Sequence, residues 1–557
     1  MRHETRDNEK PTDDGRRTTG FFPLAYCRIG ILAYCLVFLH SCTNDPQVFD
    51  RQVFHYNQSS GISSLDPAFA RDQANIWACD ALYNSLLQLD DSLHILPCIA
   101  RAWDISTDGL TYTFHLRNDV WFHNDACFKD STRRLTAADV VYSFQRIRDP
   151  KTASPGAWVF NGRLDSIEPF KAIDDTTFVL KLSRPFLPML GILTMQYCSI
   201  VPHEAVEMYG QDFRSHPVGT GPFKLKLWRE AAAMILVRND KYFERVRGEQ
   251  LPYIKGIRVS FMNSKKTEFV AFKQGKLDFI SGIDASFQDE VIDEKGELRK
   301  ELQSTIDMSK SPYLNTEYLG FLMKADSSNI LADKRIRQAI NYGFDRNELI
   351  RYLRNGIGKA AENGFTPPGL PSYDGSIAGY HYDPELARKL LKESGHENGA
   401  GLPEISLYTN DTYKEMGLML SKQLDKIGIK LKVEVTEPAI LREWMSQGKV
   451  AFFRGSWIAD YPDAESYFTV FYSKNTSPPN YTRYSNPEYD RIYERALTEV
   501  NDSMRYALYH DLERIIIADA PIVPLYYDEV LRFTQKRVHD LHSNGLNLLD
   551  LKRVKLQ

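Results

Sequence analysis

The sequence predicts an α/β protein of more than one domain, and three observations carry that expectation. At 557 residues the chain is too long for one compact core, so two to three domains are expected. Residues 404–435 read as strand, helix, strand, a unit that should be parallel and right-handed. The apolar run Val450-Ala451-Phe452-Phe453 reads as a buried strand. Arg454, Trp457, Asp460 and Tyr461 follow it, and Pro462 then prevents a regular helix or central strand from continuing. Charged and aromatic groups just past the C-terminal end of a strand are where open α/β sheets place ligands.

Composition narrows the class. Hydrophobic residues make up 43% and charged residues 25%, an ordinary soluble balance. The formal net charge is −4 and the 69 Lys and Arg are spread along the chain, which argues against a nucleic-acid partner. Neither an internal repeat nor a low-complexity tract is present.

The elements follow in order. Arg28 precedes the apolar run Ile29 to Leu39, and Ser41-Cys42 follows it, which is the order of a signal peptide over 1–41. Leu-x-Ser-Cys also resembles a bacterial lipobox, with Cys42 as the acylated residue and 42–45 as a lipidated tether. The alternative is an uncleaved anchor over Phe21 to Leu39, although Pro23 and Arg28 interrupt it. Either reading puts the body outside the cytoplasm. Without residues 1–41, 63 basic and 68 acidic residues remain, a formal charge of −5. Four further cysteines, Cys79, Cys98, Cys127 and Cys198, match no zinc spacing. They could pair in any of three ways in an oxidising compartment, or stay as buried thiols.

Gln52 to Tyr56 reads as a strand, and Pro67 is preset for a helix start. Ala74 to Leu89 has helical apolar spacing. Asp108-Gly109 signals a hairpin, and Thr111 to Arg117 alternates as a half-buried strand. Thr136 with Asp139 resembles a capping box. His123 and His203 invite a metal reading, but His203-Glu204 lacks the second histidine of a zincin helix, so both read as structural. Gly219-Thr220-Gly221 is a lone Gly-x-Gly, and Pro222 points to a turn into a strand rather than a phosphate loop.

Further on, Leu319 to Leu322 is a short strand and Asp333 to Tyr342 begins a helix. Asp383-Pro384-Glu385 opens another, and Gly395 stops it. Glu404 to Thr409, Tyr413 to Ile427 and Ile429 to Val435 form the strand–helix–strand unit, with Gly428 as the helix cap. Asp502 to Ala518 is an amphipathic helix, and Ala520 to Tyr527 leads the chain out.

The loop after Phe453 holds the candidate site. Asp460 could hold an amine and Arg454 a carboxylate, while Trp457 and Tyr461 supply apolar walls with polar tips. The plainer alternative is a loop of solvated acids and core rings. A hydrolase would need paired acids, for which Asp460, Asp463 and Glu465 are candidates. Neither Gly-x-Ser-x-Gly nor His-Glu-x-x-His occurs, so no catalytic residue, metal or cofactor is assigned.

Gly455-x-Trp457-x-Ala459-Asp460-Tyr461-Pro462-Asp463 resembles the ligand loop of the extracellular solute-binding proteins of family 5, the oligopeptide- and dipeptide-binding components of bacterial ABC importers. Other motifs fall in the family's order. They include Leu65-Asp66-Pro67, Leu82-Tyr83-x-x-Leu86, Leu116-Arg117-x-x-Val120-x-Phe122-His123, Leu135-Thr136-Ala137-x-Asp139-Val140 and Gly219-Thr220-Gly221-Pro222-Phe223. The segment Ala126 to Arg134 is longer than usual, and Asp125 stands where a glycine is usual. The likeness spans about residues 50 to 550.

The resemblance implies a two-lobed periplasmic-binding-protein (Venus-flytrap) fold with an extra domain inserted in lobe I. Lobe I would comprise 46–78, 202–317 and 524–557, the inserted domain 79–201, and lobe II 318–523. It implies a monomeric, periplasmic lipoprotein that captures peptides and passes them to a membrane permease with a cytoplasmic ATPase. In the family's peptide binders, the acid at Asp460 holds the α-amino group, and the arginine at Arg454 can reach the carboxylate. Nickel, haem or a sugar as ligand, or a sensor role without an importer, are the alternatives.

Overall fold

Two long strands organise the body, Ile306–Phe321 and Ile522–Gln535. They pair antiparallel in the middle of an eleven-stranded sheet. Along one side Phe452–Ile458 pairs with residues 315–321, and Ile405–Thr409 and Leu431–Val435 continue outward. Along the other side Phe279–Ser281 pairs with residues 532–534, and Val53–Asn57, Gly256–Ser260, Ala233–Arg238 and Phe223–Arg229 continue outward. The computed structural model describes residues 51–59, 61–293, 295–323 and 329–557. The expected signal peptide, the tether and Cys42 lie outside the described residues.

The register of the central pair shifts between Pro312 and Thr316, and again between Glu317 and Tyr318, where Pro524 faces Tyr318. Proline has no N–H to give the ladder, so such breaks are where a strand tolerates it. Each end of the pair serves its own core. Leu319, Phe321, Val523 and Leu525 pack with Ile336, Ile340 and Leu391. Ile306, Leu531 and Phe533 pack with Phe269 and Phe272. The sequence shows only the Leu319 end of the first strand, because the other half is polar and is interrupted by Pro312.

The strand–helix–strand unit forms as expected. Ile405–Thr409 and Leu431–Val435 are parallel and in register, joined through the helix Lys414–Asp425. Gly428 ends that segment at φ +91°, and an added Cβ would lie 2.2 Å from the Asn398 carbonyl oxygen. The helix Pro384–Glu393 is capped by Asp383, whose carboxylate accepts from Leu386 N at 2.9 Å. Asp502–Asp519 forms the long helix.

A separate antiparallel sheet runs in the order Ala100–Ile105, Thr111–Leu116, Thr177–Lys181, Phe170–Asp174. The helix Ala137–Arg148 lies against it through Phe144, whose ring stands 5.5 Å from Phe170 and 5.6 Å from Phe178. The capping box holds, with Asp139 accepting from Thr136 N at 2.8 Å. Asp139, His203 and Glu204 sit close enough to suggest a metal. Arg133 already fills that place, bonding Asp139 at 2.7 and 2.8 Å and Glu204 at 2.6 Å.

Two expectations change, and the choice left open for the cysteines falls to thiols. The helix expected over 74–89 stops at Leu82 and a strand follows at Leu87–Leu89. Gly219 and Gly221 press against the Leu82 backbone, where added Cβ atoms would come within 2.1 and 2.4 Å, and Gly221 N bonds Leu82 O at 3.0 Å. The glycine turn thus packs on the helix end. The four cysteines stand as free thiols, with Cys79, Cys98 and Cys198 buried. The strand expected over 450–453 runs instead over Phe452–Ile458, with consequences for the site. His123 is structural as expected. Its ring donates to Gly221 O at 3.0 Å, and burial pushes its pKa down to about 4.

Candidate functional site

Because the strand extends to Ile458, Arg454 and Trp457 lie within it, and alternation sends their side chains to opposite faces. Trp457 packs half-buried against the main core, and its indole N–H is buried without a hydrogen-bond partner. Arg454 pairs with Glu317 on the neighbouring strand, and its guanidinium lies 3.6 Å over the Tyr413 ring. Glu317 also accepts from Asn315 at 3.1 Å. Asn315 reaches Asp528 at 3.4 Å, and Asp528 is held by Arg354 at 2.5 Å. This chain of polar groups crosses the two long strands where their register breaks. Burial raises the Glu317 pKa while the Arg454 charge opposes the rise.

Beyond the strand, the loop's three acids have different fates. Asp463 pairs with Arg505 and accepts from the Tyr509 hydroxyl at 2.7 Å. Glu465 is buried and accepts from the hydroxyls of Tyr461 and Tyr493. Asp460 offers its backbone N–H to Ser466 Oγ at 3.2 Å, but its carboxylate has no hydrogen bond or ion pair among the described residues. Its side chain keeps access to solvent yet is crowded by protein on most sides, as befits the wall of a cleft. That desolvation, with the nearby charge of Glu465, raises its pKa to about 6 against the opposing pull of Arg163.

Asp460 and Tyr461 line a cavity of about 280 Å³. The same cavity is lined by Arg71, Ile76 and Trp77, from the helix Gln73–Leu82 and the residues before it, together with Trp158, Tyr197 and Tyr313. The Tyr461 ring stacks on Trp158 with centroids 6.4 Å apart. The Tyr197 hydroxyl is pushed up to about 12, first by burial and then by the charge of Asp460, while Arg71 acts the other way. Of the four residues expected at the site, the structure therefore brings Asp460 and Tyr461 together. Arg454 and Trp457 are not among the walls of this cavity. Arg71, Trp158, Tyr197 and Tyr313 carry no local signal in the sequence, since they reach the cavity from well-separated segments.

The arrangement holds an open carboxylate against aromatic walls, which suits a ligand with an ammonium group and an apolar body. It does not supply a pair of acids to act together, because Asp463 and Glu465 are engaged by the fold. Among the described residues no helix is long and apolar enough to cross a membrane.

The chain as a whole resembles proteins already known. The family model for bacterial extracellular solute-binding proteins, family 5 (middle), matches residues 94–479. Haem-binding protein A of Haemophilus influenzae is 29% identical over 464 residues, 80% of this chain and 81% of its own. The dipeptide-binding protein of Escherichia coli K12 is 26% identical over 529 residues, 91% of each chain. Among solved structures, the periplasmic binding protein DppA from Helicobacter pylori, in complex with the peptide STSA, superposes with a TM-score of 0.71 at 26% identity. That match covers 91% of this chain and 99% of that one.

Proposed function

Because the chain belongs to the bacterial extracellular solute-binding proteins of family 5 and has their two-lobed α/β fold, we propose that it captures peptides and delivers them to an ABC importer. The permease and its cytoplasmic ATPase would be its partners. The observation that carries this reading is the Asp460 carboxylate, unpaired in a cavity walled by Trp158, Tyr197 and Tyr461. A peptide's α-ammonium supplies the missing cation, and the aromatic walls take the adjoining chain. Closure removes water and strengthens that charge-assisted bond.

In this reading the lobes meet where the central strands break register, between Pro312 and Thr316 and opposite Asp528. Residues 79–201 form the inserted domain, which contributes Trp158 and Tyr197 to the cavity. The protein binds its ligand without altering it, works as a monomer outside the cytoplasm and is tethered through Cys42. Arg454 belongs with the strand crossing, since a ligand carboxylate arriving there has to compete with Glu317.

The test is calorimetric titration of free and N-acetylated peptides against the wild type and Asp460→Ala. Acetylation and the substitution should each weaken binding strongly, and together by much less than their sum, because both delete one interaction. Equal binding of free and blocked peptides by the wild type would remove the ammonium anchor and make haem, nickel or another non-peptide solute the better reading. Hydrolysed ligand recovered after long incubation would overturn the non-enzymatic reading.

A further inference from the structure

We propose that Arg71, rather than Arg454, receives the carboxylate end of the ligand, so that the ligand is a short peptide held between Asp460 and Arg71 across one cavity. This rests on the peptide reading above. Arg71 and Asp460 line the same cavity of about 280 Å³. Neither side chain has a hydrogen bond or an ion pair among the described residues. The acid next to Arg71 in sequence is already used, since Asp72 caps the following helix through Asn75 N at 3.1 Å. Tyr197 feels both charges, in opposite senses, which places its hydroxyl under the influence of each.

The surroundings of Arg71 also favour an anion. Arg71 is shared with an adjoining cavity of about 810 Å³, lined in addition by Asp66, Arg146, Lys151 and Arg214. Asp66 is consumed by Arg146, at 2.6 and 2.9 Å, and Arg214 is paired with Glu230 at 2.8 Å. The Lys151 ammonium has no partner among the described residues. Arg71 and Lys151 therefore leave the adjoining cavity cationic, and Arg71 carries that charge into the cavity of the unpaired acid. Arg454 offers the reverse: its charge is met by Glu317, and it does not line the cavity.

An exposed arginine without a partner is common on protein surfaces. Arg71 differs in lining the same cavity as Asp460, the one acid of the 460–465 loop whose carboxylate the fold leaves open. The guanidinium fork matches a carboxylate in two parallel hydrogen bonds, which a lysine does not reproduce. Ligand sites generally run from about 300 to 1,000 Å³, so this cavity, at about 280 Å³, lies just below that range and suits a ligand as short as a dipeptide.

The experiment measures affinities of dipeptides with alanine, leucine and phenylalanine side chains. Each is tested free, C-terminally amidated and N-acetylated, against the wild type, Arg71→Gln, Arg71→Lys and Arg454→Gln. The wild type should prefer the free form over the amide by about tenfold or more. Arg71→Gln should erase that preference, Arg71→Lys should keep part of it, and Arg454→Gln should keep all of it. Should Arg454→Gln fail to fold, the graded pair at Arg71 still decides. If free and amidated peptides bind the wild type equally while acetylation weakens binding, the Arg71 assignment is wrong and the Asp460 reading stands. The Arg71 assignment is equally wrong if Arg71→Gln keeps the preference. If no dipeptide binds in any form, the peptide reading fails and this inference falls with it.

Discussion

Arg454 and Asp460 stand six residues apart, yet the protein treats their charges in opposite ways. Arg454 lies inside a strand and is matched by Glu317, which leads through Asn315 and Asp528 to Arg354. Asp460 lies just past the strand, beside Asp463 and Glu465, and among these three acids only its carboxylate is left open. A buried charge met by a protein partner belongs to the folding balance. An open charge crowded by protein is a strain on the empty protein, and in the proposed function the ligand's ammonium relieves it. The elevated pKa of Asp460 is the sign of that strain.

The largest effect expected from this contrast is on stability at the Arg454 end. Arg454→Met leaves Glu317 buried and uncompensated, a loss of about 3–5 kcal/mol. Denaturant unfolding should show a lower midpoint, while the remaining folded protein binds peptide with unchanged affinity. A large loss of affinity without loss of stability would reverse the roles assigned to the two ends.

Asp460→Ala should do the opposite. It removes one partner of a desolvated charge pair in the complex, a loss of about 2–5 kcal/mol in binding, or roughly 30-fold and upward in dissociation constant. The unfolding midpoint of the empty protein should not fall, because the substitution removes an acid that the fold leaves unpaired. A lowered midpoint would show that Asp460 has a structural partner.

Acidity sharpens the comparison further. Only ionised Asp460 attracts an ammonium, and its pKa in the empty protein is about 6. Peptide affinity should hold between about pH 7 and 8, fall above that as the peptide's α-amino group loses its proton, and fall up to about tenfold per pH unit once below 6. Asp460→Asn should bind weakly with no such slope. For stability the sign is reversed. A carboxyl raised from 3.8 to about 6 by folding favours the native state below 3.8, and that contribution is lost as pH rises through 6. Affinity that holds constant down to pH 5 would contradict the assignment.

The smallest effect concerns Glu465. Its charge helps raise Asp460, so Glu465→Gln should move the acid limb of the affinity profile to lower pH by a fraction of a unit. It should also disturb the acceptor of Tyr461 and Tyr493, costing about 1–3 kcal/mol of stability. An unmoved profile would mean that burial alone sets the acidity of Asp460.

Much of this was legible in the sequence, and the misses share a cause. Caps and turns depend on neighbouring residues, so Asp383, Thr136 with Asp139, and Gly428 were readable where they stand. The strand–helix–strand unit over 405–435 was readable because both periods are strong and local. The long strand Ile306–Phe321 was mostly hidden, since its first half is polar and Pro312 interrupts the pattern. The end of the helix at Leu82 was invisible because it is set by Gly219 and Gly221, more than a hundred residues away.

The sequence by itself determined the α/β class, the starts of its clearest helices and strands and the place of the loop around Asp460, because these rest on local periodicity and on a compact motif. Only the tertiary structure decided which charges of that loop remain open. Asp463 and Glu465 are taken by Arg505, Tyr493 and Tyr509 from later helices and by the nearby Tyr461, and Arg454 is taken by Glu317 from an adjoining strand. Whether a charge is free depends on what folding brings within about 4 Å of it, and that distance is not written in the spacing of residues along the chain.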